Sequence, residues 1–428
     1  MARGQDEIGR CLLMLCLLCC SAEAFVHKTS CPSPLPCYCD KSPDGANGTV
    51  DCSGRPLGKV PKFLVLTGLP FARVLLGNSG IGALRKHDFK GLNVTDIDLS
   101  HNRISLVSDR AFDDVVGVTS LRMRNCSLDS VPRALRSLRR LRLLDLAGNA
   151  VRHIPTEALA ALVYLETLDL SHNPLQLPAS SESMANLGRL ATLNLSSCGL
   201  RQVPTATLRP LSRLTVLDLS DNALTLASGA FRGLERLEVL TLSGCNVPRL
   251  TAAMFQDLPA LRRLAVVSCN ISHVVSSTFD AMARLAHLHL DNNNITRLYF
   301  LSTNPCQLDQ ANVTLDHNPI YCDCDVHSLV QKKIMAISGT CGAPYAYRGL
   351  LLAPPVGTEP GERHLEESSL KTCSTRSRVS ERYDCGCETW LGLREPRTCM
   401  LRSGSWRLYA DVTTHVMLGV VLVGQLLR

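Results

Sequence analysis

Aromatic residues are scarce in this 428-residue chain: Phe, Tyr and Trp make up 4% of it, while hydrophobic residues as a whole make up 45%. That scarcity excludes a core organised around large rings, and the apolar content excludes an intrinsically disordered chain. Charge of one sign is not concentrated either. Lys and Arg number 45 against 38 Asp and Glu, a net charge of +7, which gives no ground for a nucleic-acid partner. No P-loop, G-x-S-x-G, H-E-x-x-H or dinucleotide fingerprint occurs, and the 12 histidines are scattered. The chain is therefore not expected to be an enzyme or to carry a cofactor or metal.

Cysteine and leucine are abundant instead. Twenty cysteines point to an oxidising compartment, and both chain ends agree. Residues 1–24 have the form of a secretory signal: Arg3 and Arg10, the apolar stretch Cys11–Cys20, and the small-residue site Ala22-Glu23-Ala24. Four cysteines would leave with it. At the other end, the triplet Ser403-Gly404-Ser405 is followed by Trp406–His415 and then by the apolar run Val416–Leu427. A small triplet, a spacer and an apolar tail make a GPI-attachment signal. The expected anchor site is Ser403, with residues 404–428 removed, placing the protein on the extracellular face of the plasma membrane. The apolar runs at the two ends fall short of the roughly 20 residues of a comfortable membrane helix. A short single-pass anchor and a secreted form are the alternatives.

Between the ends one pattern recurs. The template L-x-x-L-x-L-x-x-N/C-x-L fits at Leu141, Leu144, Leu146, Asn149 and Val151, at Leu165 to Leu175, and at Leu214 to Leu224. Its polar slot is filled in turn by Ser79, Asn102, Cys126, Asn149, Asn173, Cys198, Asn222, Cys245, Cys269, Asn293 and Asn318, at intervals of 23 to 25 residues. Phe89, Phe231 and Phe255 add a second marker in the return segments. The pattern predicts an α/β leucine-rich repeat solenoid, a horseshoe with a parallel β-sheet on its concave face. Each L-x-L strand points its leucines inward, and the slot residue satisfies backbone groups inside the turn. One repeat cannot bury its own leucines, so repeats must stack and the two ends need covers. Cysteine in the slot is small and apolar, so Cys126, Cys198, Cys245 and Cys269 are expected to be inert buried thiols.

Cysteine clusters flank the array. Cys31, Cys37, Cys39 and Cys52 precede it, and Cys322, Cys324, Cys341 and Cys373 follow it. Neither group has the paired close spacing of a zinc site, so disulfide caps are the expectation. Residues 31–373 resemble the extracellular leucine-rich repeat proteins with cysteine-rich caps, the class of the Toll-like receptor, Slit, Nogo receptor and connectin ectodomains. The resemblance implies first-to-third and second-to-fourth pairing in each cap: Cys31–Cys39, Cys37–Cys52, Cys322–Cys341 and Cys324–Cys373. The N-terminal C-x12-C interval is longer than usual for that class, and the C-terminal cap lacks the tryptophan often found after C-x-C. The expected organisation is a signal (1–24), an N-terminal cap (25–60), eleven repeats (61–321), a C-terminal cap (322–373), a stalk (374–403) and the tail (404–428). Cys306, Cys385, Cys387 and Cys399 are left over, an even number that permits two more bridges of undetermined pairing.

Binding is the function left, and the concave face is its expected location. Reading outward positions off the register gives Asp98, Arg122, Arg124, Asp145, Asp169, Asp218, Arg263 and His289 as ligand-face candidates. The aspartates also belong to the ordinary L-D-L-S form of these repeats. The face is polar and has no Trp, Tyr or Phe, which favours electrostatic contacts. Glycosylation sequons stand at Asn47, Asn93, Asn125, Asn194, Asn270, Asn294 and Asn312. Asn125 is set aside because Cys126, its neighbour in the sequon, is a slot residue, and a glycan at Asn194 would divide the concave face. Arg122 and Arg124, with the following run Arg133–Arg142, form a basic cluster that suits sulfated glycans or an acidic protein. A plain solvated loop accounts for the same run. The expected function is cell-surface recognition or adhesion, with a protein or glycan ligand on another cell or in the matrix. The alternatives are an innate-immune pattern receptor or co-receptor acting with a transmembrane partner, and a secreted matrix-type protein.

Overall fold

The computed structural model describes residues 29–31, 35–40, 48–62, 71–113, 115–177, 184–302, 308, 311–331, 336–352, 383–384 and 400–401. The signal, most of the stalk and the tail lie outside these residues. So do Asn47, Cys306, Cys373, Cys385, Cys387, Cys399 and Ser403. The chain forms two compact units: Met1–Val247 with Asp257–Leu261, and Pro248–Gln256 with Arg262–Arg428.

The first unit opens with an antiparallel trio, β1 (Thr29–Ser30), β2 (Tyr38–Asp40) and β3 (Gly48–Asp51). Strand β3 then pairs in parallel with β4 (Phe71–Leu75), the first repeat strand. Parallel pairing continues through β5 (Asp96–Asp98), β6 (Ser120–Arg122), β7 (Leu143–Asp145), β8 (Thr167–Asp169), β9 (Thr192–Asn194), β10 (Val216–Asp218) and β11 (Val239–Thr241). Each of these three-residue strands places one leucine or isoleucine inward: Ile97, Leu121, Leu144, Leu168, Leu193, Leu217 and Leu240 are all fully buried. The second unit repeats the arrangement with β12 (Arg263–Ala265), β13 (His287–His289), β14 (Asn312–Thr314) and β15 (Ala336–Ser338). The strands are this short because only L-x-L satisfies the period of two before the chain must turn.

The return segments carry little helix. Arg133–Ser137 is one 3-10 turn, and Thr156–Ala160 and Thr205–Leu208 are single α-turns, each entered from a proline. Proline suits that place because the first helical N–H has no partner inside the helix. Phenylalanines seal the interior on this side. Phe89 and Phe112 stack with centroids 5.2 Å apart, and Phe231 is buried in the same unit.

The slot residues form a polar spine inside the leucine layer. Asn149 shows the arrangement: its Oδ1 accepts the N–H groups of Cys126 and Leu128, and its Nδ2 donates to the carbonyls of Met123 and Leu146. Asn102, Asn222 and Asn293 likewise accept two N–H groups from the repeat before them. In each case the preceding slot holds Ser or Cys. Asn173 and Asn318, which follow another asparagine, accept only one. A cysteine slot followed by an asparagine slot, as at Cys126, Cys198 and Cys269, thus hands its own N–H to the next repeat's amide, while the thiol turns to a carbonyl, as Cys126 does to Leu99 and Cys198 to Leu170. The residue before the slot is left-handed in every repeat of the first unit, with non-glycine occupants Asn78, His101, Asn125, His172, Ser197 and Asp221.

The ends are closed by disulfides. Cys31–Cys39 and Cys37–Cys52 hold the N-terminal trio, and Cys322–Cys341 holds the region beyond β14. Cys324 is also disulfide-bonded. Among the described residues no group of three metal-binding side chains and no helix long and apolar enough to cross a membrane is present.

Candidate functional site: the outward strand positions

Because the inward position of every strand is leucine or its equivalent, the two flanking positions face outward, although Ser120 is itself buried. The first outward column of the first unit runs Arg73, Asp96, Ser120, Leu143, Thr167, Thr192, Val216, Val239. The second runs Leu75, Asp98, Arg122, Asp145, Asp169, Asn194, Asp218, Thr241. Six of the candidates, Asp98, Arg122, Arg124, Asp145, Asp169 and Asp218, lie on this unit, while Arg263 and His289 lie on the other.

The second column has a shared local chemistry. Oδ1 of Asp98, Asp145, Asp169, Asn194 and Asp218 each accepts the backbone N–H two residues on, at 2.9–3.0 Å. The side chain therefore caps the strand end where the ladder stops, an Asx-type turn. This explains why the position is so often Asp, and it leaves Oδ2 as the oxygen that can face a ligand. Asp145 and Asp169 spend theirs on Arg124, at 2.9 and 3.5 Å. Asp98 and Asp218 have no partner for Oδ2 among the described residues.

The two arginines are not a free basic spot. Arg122 pairs with Asp96 across one strand at 2.7 Å, and Arg124 bridges the next two acids. The Asp145 carboxylate holds the Arg124 guanidinium above its ordinary value. The sequence placed these arginines in a positive cluster. The structure instead shows them compensating acids on neighbouring rungs, because a long guanidinium reaches laterally to the rung one or two strands away. Of the run that follows, Arg133 lies 3.9 Å from Glu157 and Arg142 lies 3.1 Å from Glu166, and both are exposed pairs.

On the second unit Arg263 is exposed at the start of β12. His287 and His289 sit side by side on β13, their rings parallel with centroids 6.3 Å apart. His289 Nδ1 lies 3.1 Å from Thr314 Oγ1, which donates to Asp291. Desolvation by burial pushes the His289 pKa down, against the opposing pull of Asp291.

The sequon residues are spread over both units. Asn93 and Asn125 are exposed, as are Asn270, Asn294 and Asn312. Asn294 Nδ2 donates to Asn270 Oδ1 at 2.8 Å, one repeat apart. Asn194 is half-buried in the second column beside Asp169 and Asp218. Exposed aromatics lie off the two outward columns. Tyr38, Tyr164, Tyr299 and Tyr321 each carry an arginine over the ring, and Arg297 serves both Tyr299 and Tyr321. The sequence reading missed these stacked pairs, of which Arg55–Tyr38, Arg189–Tyr164 and Arg297–Tyr321 join residues 17 to 25 apart.

Comparison with known proteins gives the same picture of the fold. The leucine rich repeat family matches residues 72–128, 129–175 and 188–247, and a second form of the same repeat matches 164–187. Leucine-rich repeats and immunoglobulin-like domains protein 3 of Homo sapiens is 35% identical over 80 residues, 19% of this chain and 7% of that protein. Fibromodulin of Oryctolagus cuniculus is 35% identical over 81 residues, again 19% of this chain and 53% of its own length. Matching stretches thus span about half of one relative and a small part of the other. Among solved structures, a chain of the octameric complex of Latrophilin 3, Unc5D and FLRT2 (LRR) superposes with a TM-score of 0.58 at 20% identity, covering 79% of this chain and 98% of that one. A chain of the Drosophila Toll–Spatzle complex gives 0.54 at 20%, covering 71% and 50%. At these identities the likeness is one of fold.

Proposed function

Because the chain belongs to the leucine-rich repeat proteins, we propose that it is a cell-surface recognition or adhesion protein whose concave face binds a protein or glycan on another cell or in the matrix. The observation that carries this reading is the unequal use of the outward carboxylates. Asp145 and Asp169 are neutralised internally by Arg124, while Asp98 and Asp218 present Oδ2 outward. A face that is mostly polar in its second column, partly self-compensated and without Trp, Tyr or Phe selects by charge position more than by apolar burial. The solved neighbours support the reading in kind, since the Toll and FLRT2 structures are complexes with protein partners.

Attachment through Ser403 to a lipid belongs to the same proposal and rests on the sequence pattern of residues 403–428. Release from intact cells by phosphatidylinositol-specific phospholipase tests it. Undiminished, phospholipase-sensitive display after Ser403, Gly404 and Ser405 are all replaced by bulky residues would rule out that attachment site. The ligand face is tested by screening the protein against a library of cell-surface ectodomains, then repeating the hit with Asp98→Asn and Asp218→Asn. Asparagine keeps the Oδ1 cap, as Asn194 already does, and removes only the charge. A roughly tenfold or greater loss of affinity is expected from the pair, about 1.4 kcal/mol. Unchanged affinity would move the site off this face. A hit confined to soluble microbial or endogenous ligands would favour the co-receptor reading.

A further inference from the structure

A second charged surface lies outside the concave columns. The residue three positions before the first residue of each paired strand is Arg140 before β7, Tyr164 before β8, Arg189 before β9, Arg213 before β10 and Arg236 before β11. All five are exposed. Their alignment does not rest on sequence spacing alone. Two residues further on, the carbonyls of Arg142, Glu166, Ala191 and Thr215 each accept two N–H groups from the next repeat. Those bonds lock the neighbouring backbone into rungs, about 4.8 Å apart as in any parallel sheet, so the line from Arg140 to Arg236 runs about 19 Å. Arg189 stacks over the Tyr164 ring at 4.6 Å, which fills the one rung without a cation of its own. None of Arg140, Arg189, Arg213 and Arg236 makes an ion pair among the described residues, unlike Arg122, Arg124, Arg133 and Arg142. Arg209 and Arg232 stand four residues earlier on the last two of these rungs and widen the line. Glu235, beside Arg236, is the acidic interruption.

We propose that this edge is a binding site for a linear sulfated polysaccharide of the glycosaminoglycan class, separate from the concave ligand face. A straight row of unpaired guanidinium groups matches a polymer whose anionic groups recur along one axis, and each group can grip a sulfate through two parallel N–H donors. The row is narrow and has little apolar surface beside Tyr164 and Val163, so it lacks the buried core that a globular protein partner needs. A single stacking ring is too few for a single-stranded nucleic acid, which is held base by base on aromatic platforms. The site also has a natural boundary. Two rungs before Arg140, the same register position is Asn93, a sequon residue, with Gly117 between.

The test is heparin affinity of the full chain across a salt series, with Arg140→Gln, Arg189→Gln, Arg213→Gln and Arg236→Gln combined, and Arg122→Gln with Arg124→Gln as the concave control. Wild type and the concave control should be retained alike. The ladder variant should lose retention, and its log affinity should depend on log salt more weakly by about three, at roughly 0.7–0.9 per cation removed from a linear polyanion. Circular dichroism and an unchanged melting temperature establish the fold. Should the combined variant misfold, Arg213→Gln alone must still lower the slope by roughly 0.7–0.9. A ladder variant that elutes with wild type overturns the proposal, as does an equal loss in the concave control. Equal binding of desulfated heparin or of an oligothymidylate would overturn the sulfated class. Loss of heparin binding with the ectodomain ligand still bound would keep this site distinct from the concave one.

Discussion

Removing the amide of Asn149 gives the most direct test of the polar spine. Its Oδ1 takes the buried N–H groups of Cys126 and Leu128 at 2.8 and 3.1 Å, and its Nδ2 serves the Met123 and Leu146 carbonyls, each at 2.8 Å. In Asn149→Ala the Leu146 carbonyl keeps Asn173 Nδ2 as a partner. Two N–H groups and the Met123 carbonyl do not. Three orphaned buried groups at about 1–3 kcal/mol each, eased by water entering the vacated space, give a loss of roughly 3–6 kcal/mol. Asn173→Ala is the informative contrast. It orphans only the Val151 N–H, because the carbonyls of Leu146, Leu170 and Ser171 retain donors from Asn149, Cys198 and Gly148. Its expected cost is about 1–3 kcal/mol. Repeat arrays need not unfold in one step, so native-state hydrogen exchange is the better readout. The Cys126 and Leu128 amides should lose protection in the first variant, and the Val151 amide in the second. Equal destabilisation by the two substitutions would refute the argument that a Ser or Cys slot doubles the duty of the asparagine after it.

Three further outcomes follow from the packing. Burial pushes the Cys126 and Cys198 thiols up to about 11, so a maleimide at pH 8 should label them only in denaturant. A folded pKa above the unfolded value means the folded state holds its proton longer, so stability should fall as pH rises from about 9 to 11; a flat urea midpoint across that window would contradict the burial. Replacing Cys322 and Cys341 together by Ala removes one bridge of the C-terminal region and should cost about 2–5 kcal/mol, seen as a lower melting temperature and poorer secretion; an unchanged melting temperature would argue that this bridge does not hold a cap on the leucine layer. Phe89→Ala empties a fully buried site stacked on Phe112 and should cost about 3–5 kcal/mol by urea unfolding, with a loss below 1 kcal/mol showing that the return segment collapses to fill it.

The repeat register was legible because it is one-dimensional. A leucine at every L-x-L position needs no knowledge of its neighbours, only of period, and the buried series from Ile97 to Leu240 follows. The slot positions were legible for the same reason, but their hydrogen bonding was not. Whether Asn149 accepts two N–H groups and Asn173 one depends on what occupies the slot one repeat earlier, a relation between residues 23 or 24 apart. The left-handed conformation of Ser127, Gly199 and Asn270, each just after a cysteine slot, belongs to the same class of effect. Local propensity marks the glycine and the asparagine as permissive but offers nothing to mark Ser127.

Charge was read least well, and the reason is geometric. Along the sequence Arg122 and Arg124 stand next to a run of five further arginines and look like its beginning. In the fold, neighbours along the chain diverge to opposite sides of a rung, while residues 21 to 26 apart come within a side chain's reach: Arg122 with Asp96, Arg124 with Asp145, Arg142 with Glu166. For these three pairs lateral contact, not proximity in sequence, decides which charges are neutralised. Arg140, Arg189, Arg213 and Arg236 share an L-x-R-L motif, each standing directly before the first leucine of its repeat template. Strand pairing turns that common register position into one line, three residues before Leu143, Thr192, Val216 and Val239. In a solenoid the informative electrostatic unit is therefore the column. A basic run confined to one repeat meets the acids of the rungs on either side of it. A cation repeated on successive rungs at an exposed edge meets no acid in its own column and is left for a ligand.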